Sequence, residues 1–145
     1  MAVSTAARYT TKSVAVRTIN AELVASVAVY KGTCVAVFTG GANQGYHRMI
    51  ADTANMRLVG LAELTATGGS ANGDVSVPVQ PLELLEYLEL DAVSPGDTWV
   101  GQKVYFTDDH TVALTSTNSI LAGRVVSVEK TGTAGRVVVA LRQRD

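Results

Sequence analysis

The chain holds little of what most reaction chemistry draws on. Its 145 residues include one cysteine, two histidines, three prolines and one tryptophan. A lone Cys34 excludes an intrachain disulfide. Its neighbours Val35, Ala36, Val37 and Phe38 mark it as a small buried hydrophobe. Charged residues make up 17% and aromatics 6%, both low, so aliphatic side chains must build the core. The net charge of −1 lacks the basic footprint of a nucleic-acid binder. No hydrophobic run approaches the ~18 residues of a membrane-spanning helix. Arg8 and Lys12 sit in a Thr/Ser/Ala stretch without the apolar centre of a signal peptide. A soluble protein made in a cytoplasm is expected.

What is abundant is valine, 22 residues, with 19 alanines, 16 threonines and 13 glycines. Val and Thr are stiff at χ1 and favour pleated strands. The expected fold class is therefore all-β, a small β-barrel or β-sandwich. Residues 1–20 form an extended N-terminal arm, with one possible strand at Val14, Val16 and Thr18, and residues 21–145 a single β domain. The arm carries Arg8, Lys12 and Arg17 and no acid. Residues 81–120, by contrast, hold seven acidic groups against one basic.

Between Leu23 and Phe38, valines spaced by two on either side of Lys31-Gly32 read as two short strands about a turn, although Glu22–Val29 alone also fits a helical turn. Gly40–Gly45 reads as a loop and Tyr46–Ile50 as a strand. Met56–Ala66 reads as a strand with Leu58, Gly60, Ala62 and Leu64 on one face. Asn72-Gly73 is a hairpin signal. Val75, Val77 and Val79 alternate cleanly, and Pro78 places that strand at an edge or a bulge. Residues 82–91 are ambiguous between helix and strand, with strand preferred from context. Lys103–Thr107, Thr111–Leu114, Ile120–Glu129 and Arg136–Arg142 complete the set, at a spacing that suggests a sandwich or barrel.

Three features bear on chemistry. Asp108-Asp109-His110 has the residue types of a divalent-metal site. It also reads as a polar turn, and consecutive strand residues point to alternate sides rather than to one centre. His47, beside Tyr46 and Arg48, reads as a half-exposed strand-end histidine, a ligand contact or a general base. Glycines match neither a P-loop nor a dinucleotide fingerprint, and no G-x-S-x-G elbow occurs. No catalytic, cofactor-binding or metal residue is assigned. Trp99, between a Pro-Gly turn and a strand, suits an interface anchor or a core flank.

The run GDTWVGQKVYFTDDHTVALTSTNSILAGRVVSVEKTGTAGRVVVAL resembles a family of small phage capsid decoration, or cement, proteins. The shared pattern falls on Gly96-Asp97, on Gly101, Val104 and Tyr105, and on Asp108-Asp109. It continues at Thr111-Val112, Ile120 and Gly123, Gly132, and Val137, Val139 and Leu141. VYKGTCVAVF and LVGLAEL…GDVSVPV match more loosely, so that most of residues 27–142 is covered. Segment 82–91 departs from the pattern, and the arm is unmatched.

The resemblance implies a non-enzymatic virion protein on the capsid exterior. It implies no cofactor, and a homotrimer that bridges subunits of the major capsid protein. Two other readings of the residues stay open: a tail or baseplate β-module for a host receptor or glycan, and a small hydrolase with dispersed carboxylates. For an interface, the candidate contacts are Val3, Arg8, Tyr9, Lys12, Val14, Val16 and Trp99. An arm of this composition buries too little to fold alone. It is expected to join a neighbouring subunit by strand addition or to complete its own domain.

Overall fold

The structure is a computed structural model that describes residues 18–131 and 134–141. It is all-β. The strands are β1 (Ile19–Glu22), β2 (Ala28–Val29), β3 (Cys34–Phe38), β4 (His47–Met49), β5 (Met56–Ala62), β6 (Ala66–Thr67), β7 (Ser76–Pro81), β8 (Tyr87–Val93), β9 (Lys103–Phe106), β10 (Thr111–Ala113), β11 (Leu121–Thr131) and β12 (Ala134–Ala140). β1 starts inside the stretch read as arm; Val14 and Val16 lie outside the described residues.

The C-terminal half is a closed five-stranded barrel in the order β10-β8-β12-β11-β9. Only β10 and β8 run parallel; every other neighbouring pair is antiparallel. Closing so few strands demands strong bending, which β11 supplies with two bulges. Ala122 is the extra residue between Leu121↔Tyr105 and Gly123↔Val104, and Val126 that between Val125↔Val139 and Ser127↔Val138. An extra residue bends its strand and sharpens the local twist. Gly123 allows the first bend, because a Cβ there would run into the Ala140 carbonyl. Leu90, Ala92, Val104, Phe106, Val112, Val125, Val137 and Val139 fill the interior.

The N-terminal half is a five-stranded antiparallel sheet, β1-β7-β5-β3-β4. A parallel bridge between Leu23 and His47 joins its two outer strands, and the Val24 N–H donates to the His47 carbonyl at 2.9 Å. The sheet thereby curls around a second core of Ala21, Leu23, Val29, Val35, Ala62, Val77 and Val79. Its other face packs Cys34, Ala36, Met56 and Leu58 into the core of the barrel.

Several local expectations change. Leu58 and Ala62 do not share a face: Val59 is bulged out between Leu58↔Ala36 and Gly60↔Val35. The slip sends Leu58 to the shared core and Ala62 to the second one. Gly60 beside it has no room for a side chain, because a Cβ would collide with the Gln80 carbonyl. The strand stops at Ala62, and Ala66–Thr67 pair with β2 instead. Asn72-Gly73 is a turn but not a hairpin, since it joins β6 and β7, which belong to different sheets.

Pro78 lies in an interior strand, paired with β1. Its carbonyl accepts from Glu63, so its nitrogen faces the flank where β5 has already ended and no N–H is needed. Residues 82–91 are neither one helix nor one strand. A short 3-10 turn, Leu82–Leu84, leads into β8. Glu22–Val29 is not helical; it contains the end of β1 and β2.

One carboxylate ties the two halves together. Asp52, between β4 and β5, accepts the N–H groups of Thr117 (3.0 Å) and Asn118 (2.8 Å) and the Asn118 side-chain amide (3.0 Å). The same amide donates to the Asp52 carbonyl at 2.8 Å. Desolvation opposes ionisation of Asp52, but the donors of Asn118 and Thr117 together hold its carboxyl below the ordinary value of 3.8. A lowered folded-state pKa means that the contribution is complete above the unfolded value and is lost as pH falls through the folded one. Asp52→Ala should cost about 1–2 kcal/mol near neutral pH, the low end for bonds to a charged group that water screens. In thermal melts the deficit should shrink toward zero in acid, where the wild-type carboxyl is itself protonated.

Candidate interaction face

Outward-pointing side chains of β8 and β12 form the most distinctive surface among the described residues. Tyr87, Glu89, Asp91 and Val93 alternate with inward Leu90 and Ala92 along β8. Opposite them on β12 stand Ala140, Val138, Arg136 and Ala134. Period-two alternation thus places an aromatic residue at one end of the face, an exposed valine at the other, and charges between. Tyr87 is 57% and Val93 71% exposed, high values for apolar side chains on one strand.

Arg136 organises the centre. Its Nη1 lies 3.4 Å from Glu89 Oε1 and its Nε 3.5 Å from Asp91 Oδ1. Glu129 on β11 is its direct cross-strand neighbour. His110 Nε2 lies 3.8 Å from the second oxygen of Asp91. An open groove of about 470 Å³ runs past Asp91, Val93, Thr111, Glu129, Ala134 and Arg136. Lys130, the next residue of β11, is engaged by Asp97 at 3.0 Å.

The Asp108-Asp109-His110 turn borders this face. Contrary to expectation, the three side chains do converge, with one ligand atom of each within 4.8 Å of the others. The alternation argument fails because the segment is a turn between β9 and β10, not a strand. Asp108 Oδ1 accepts the N–H groups of His110 (2.9 Å) and Thr111 (2.8 Å) and thereby builds the turn. The His110 ring pairs with Asp109 at 3.1 Å. That hydrogen bond first, and the charges of Asp108, Asp109 and Asp91 after it, raise the His110 pKa against desolvation.

The remaining candidates are structural in setting. Cys34 is buried, and its thiol is pushed up to about 12, mainly by burial and then by the charge of Asp109. His47 opens β4, and its Nδ1–H donates to the Glu22 carbonyl at 3.1 Å. Burial lowers its pKa against that bond. Trp99 ends a short 3-10 turn and is half-buried against the core of the barrel. Val3, Arg8, Tyr9, Lys12, Val14 and Val16 lie outside the described residues. Reading the sequence alone missed the face itself. Its signal was the alternation Tyr87, Glu89, Asp91, Val93, obscured because Leu84-Leu85 blurs the period of two. Searches with the whole chain match no protein-family model, no curated protein and no solved structure.

Two measurements probe this arrangement. Cys34 should resist a thiol reagent at about pH 8 in the native protein and react once on denaturation, because the thiolate is the reactive form. A native-state reaction would show that the strand β3 opens readily. His110 has a raised folded-state pKa, so its contribution to stability is complete below 6.5 and fades as pH rises through the folded value. Melting curves of wild type and His110→Gln should therefore differ at about pH 5.5 and converge in mild alkali. A gap that widens with pH would reverse the assigned sign.

Proposed function

We propose that this protein decorates the outside of a phage capsid and stabilises it without catalysing a reaction. In this reading it acts as a homotrimer that bridges neighbouring subunits of the major capsid protein. The observation that carries the reading is where the residues of the resemblance sit. Val104 and Tyr105 lie in β9, Asp108-Asp109 in the following turn, and Thr111-Val112 in β10. Ile120 and Gly123 flank the first bulge of β11, and Val137 and Val139 face the interior from β12. The shared pattern therefore coincides with the bends and inward positions of one closed barrel, a framework rather than a reaction site.

Exposed apolar side chains add support. Tyr30, Leu64, Tyr87, Val93 and Val100 are each at least half exposed, and such side chains favour contact with other protein surfaces. The mechanism is linkage. A protein that binds only the assembled shell lowers its free energy by RT ln(1 + [L]/Kd) per site, about 2.7 kcal/mol at a hundredfold excess over Kd. Over many sites, modest binding yields a large gain in shell stability.

Purified protein should saturate expanded shells that lack it, appear as protrusions on the outer surface in electron micrographs, and raise the temperature at which the shells disassemble. Shells that stay bare at high protein concentration would overturn the reading. Deleting residues 1–12 should weaken attachment and lower that disassembly temperature. Unchanged affinity and shell stability would remove the arm from the mechanism.

A further inference from the structure

We infer that the β8–β12 face receives the N-terminal arm of a second copy of this chain, held by Arg8 and Lys12 against its carboxylates. The inference deepens the decoration reading and rests on it, since it names the contact that would link copies to one another.

The receiving side is an outer sheet face that the described residues leave unpartnered. It presents Tyr87 and Val93, 57% and 71% exposed, on either side of a charged centre. That centre is unbalanced. Glu89, Asp91 and Glu129 surround one guanidinium, Arg136, which already faces Glu89 at 3.4 Å and Asp91 at 3.5 Å, while Asp108 and Asp109 border the face beside His110. The nearest further ammonium, Lys130, is held by Asp97. A surplus of negative charge lines an open groove of about 470 Å³.

The occupant follows from charge and length. Residues 1–17 hold Arg8, Lys12 and Arg17, no acid, and the apolar side chains Val3, Tyr9, Val14 and Val16. Arg8 stands ten residues before Thr18, the first described residue, and reaches at most about 36 Å from it, beyond the ~30 Å diameter of a small domain. An arm that leaves β1 of one copy is thus long enough to cross to the barrel of the next. Arg and Lys then meet the groove carboxylates, while apolar arm residues cover Val93 and Tyr87, which matches both charge and hydrophobicity.

Full-length single-cysteine additions test the contact. One variant carries Ala7→Cys, beside Arg8, and the other Val93→Cys, at the mouth of the groove; buried Cys34 stays silent in both. The two are mixed and oxidised, in concentrated solution and again on capsid shells. A disulfide between residues 7 and 93 of different chains is expected, read by mass spectrometry. Its formation should slow about tenfold when the arm carries Arg8→Glu with Lys12→Glu, and in about 1 M salt, where the screening length is ~3 Å. The arm variant leaves the barrel untouched. A receiver with Asp91→Lys and Glu129→Lys should restore cross-linking to the reversed arm.

Failure to form the disulfide in both settings, or a rate indifferent to these charges, overturns the inference. So does a double Ala7→Cys, Val93→Cys chain that closes the bond within itself at high dilution. Cysteine variants that decorate shells without forming this cross-link sink the arm contact alone. Cross-linking by a protein that never binds shells sinks the decoration reading alone.

Discussion

The first three residues of strand β3, Cys34, Val35 and Ala36, turn no face to water. Cys34 and Ala36 point into the core of the closed barrel, and Val35 between them points into the core of the curled sheet. Every other part of the molecule is arranged around that constraint. A strand buried on both sides cannot carry charge, because an unpaired charge in either core would lose its hydration without compensation. It also demands small side chains, since two layers approach it at once. Cys34, Val35 and Ala36 meet both demands, and the same burial that packs Cys34 disables its thiol.

Two such cores in one short chain require sharp bends, and bulges supply them. Val59 shifts β5 so that successive apolar residues serve different cores. The two bulges of β11 let one strand pair with β9 at its start and with β12 for the rest of its length. Glycine sits beside the bulge in β5 and at the first bulge of β11 because a carbonyl of the neighbouring strand occupies the space of a Cβ. Backbone geometry, more than side-chain chemistry, specifies this fold.

With its interior aliphatic, the protein's distinctive chemistry lies on the surface. The β8–β12 face combines exposed apolar ends with an acidic centre, and the arm carries three basic residues and no acidic one. A capsid-stabilising role and an arm that links copies are mutually consistent readings of that division. In both, the fold serves as a rigid carrier for contact surfaces, and free energy is gained by association rather than by turnover.

Much of this was legible in the residues. The excess of Val and Thr marked an all-β chain, and period-two segments located β7, β9, β10, β11 and β12 to within a few residues. Cys34 was recognisable as a core residue from its neighbours alone. Local pattern could not say which strands pair, because hydrogen-bond partners far apart in sequence leave no local trace. Asn72-Gly73 therefore turns without making a hairpin, and Pro78 sits in an interior strand at the one flank where no donor is required. The sequence by itself determined the strand content, the hydrophobic alternation and the charge imbalance between arm and middle. Only the tertiary structure decided that bulges divide one alternating strand between two cores, and that Glu89, Asp91, Glu129 and Arg136 share one face, because barrel closure brings distant strands into register.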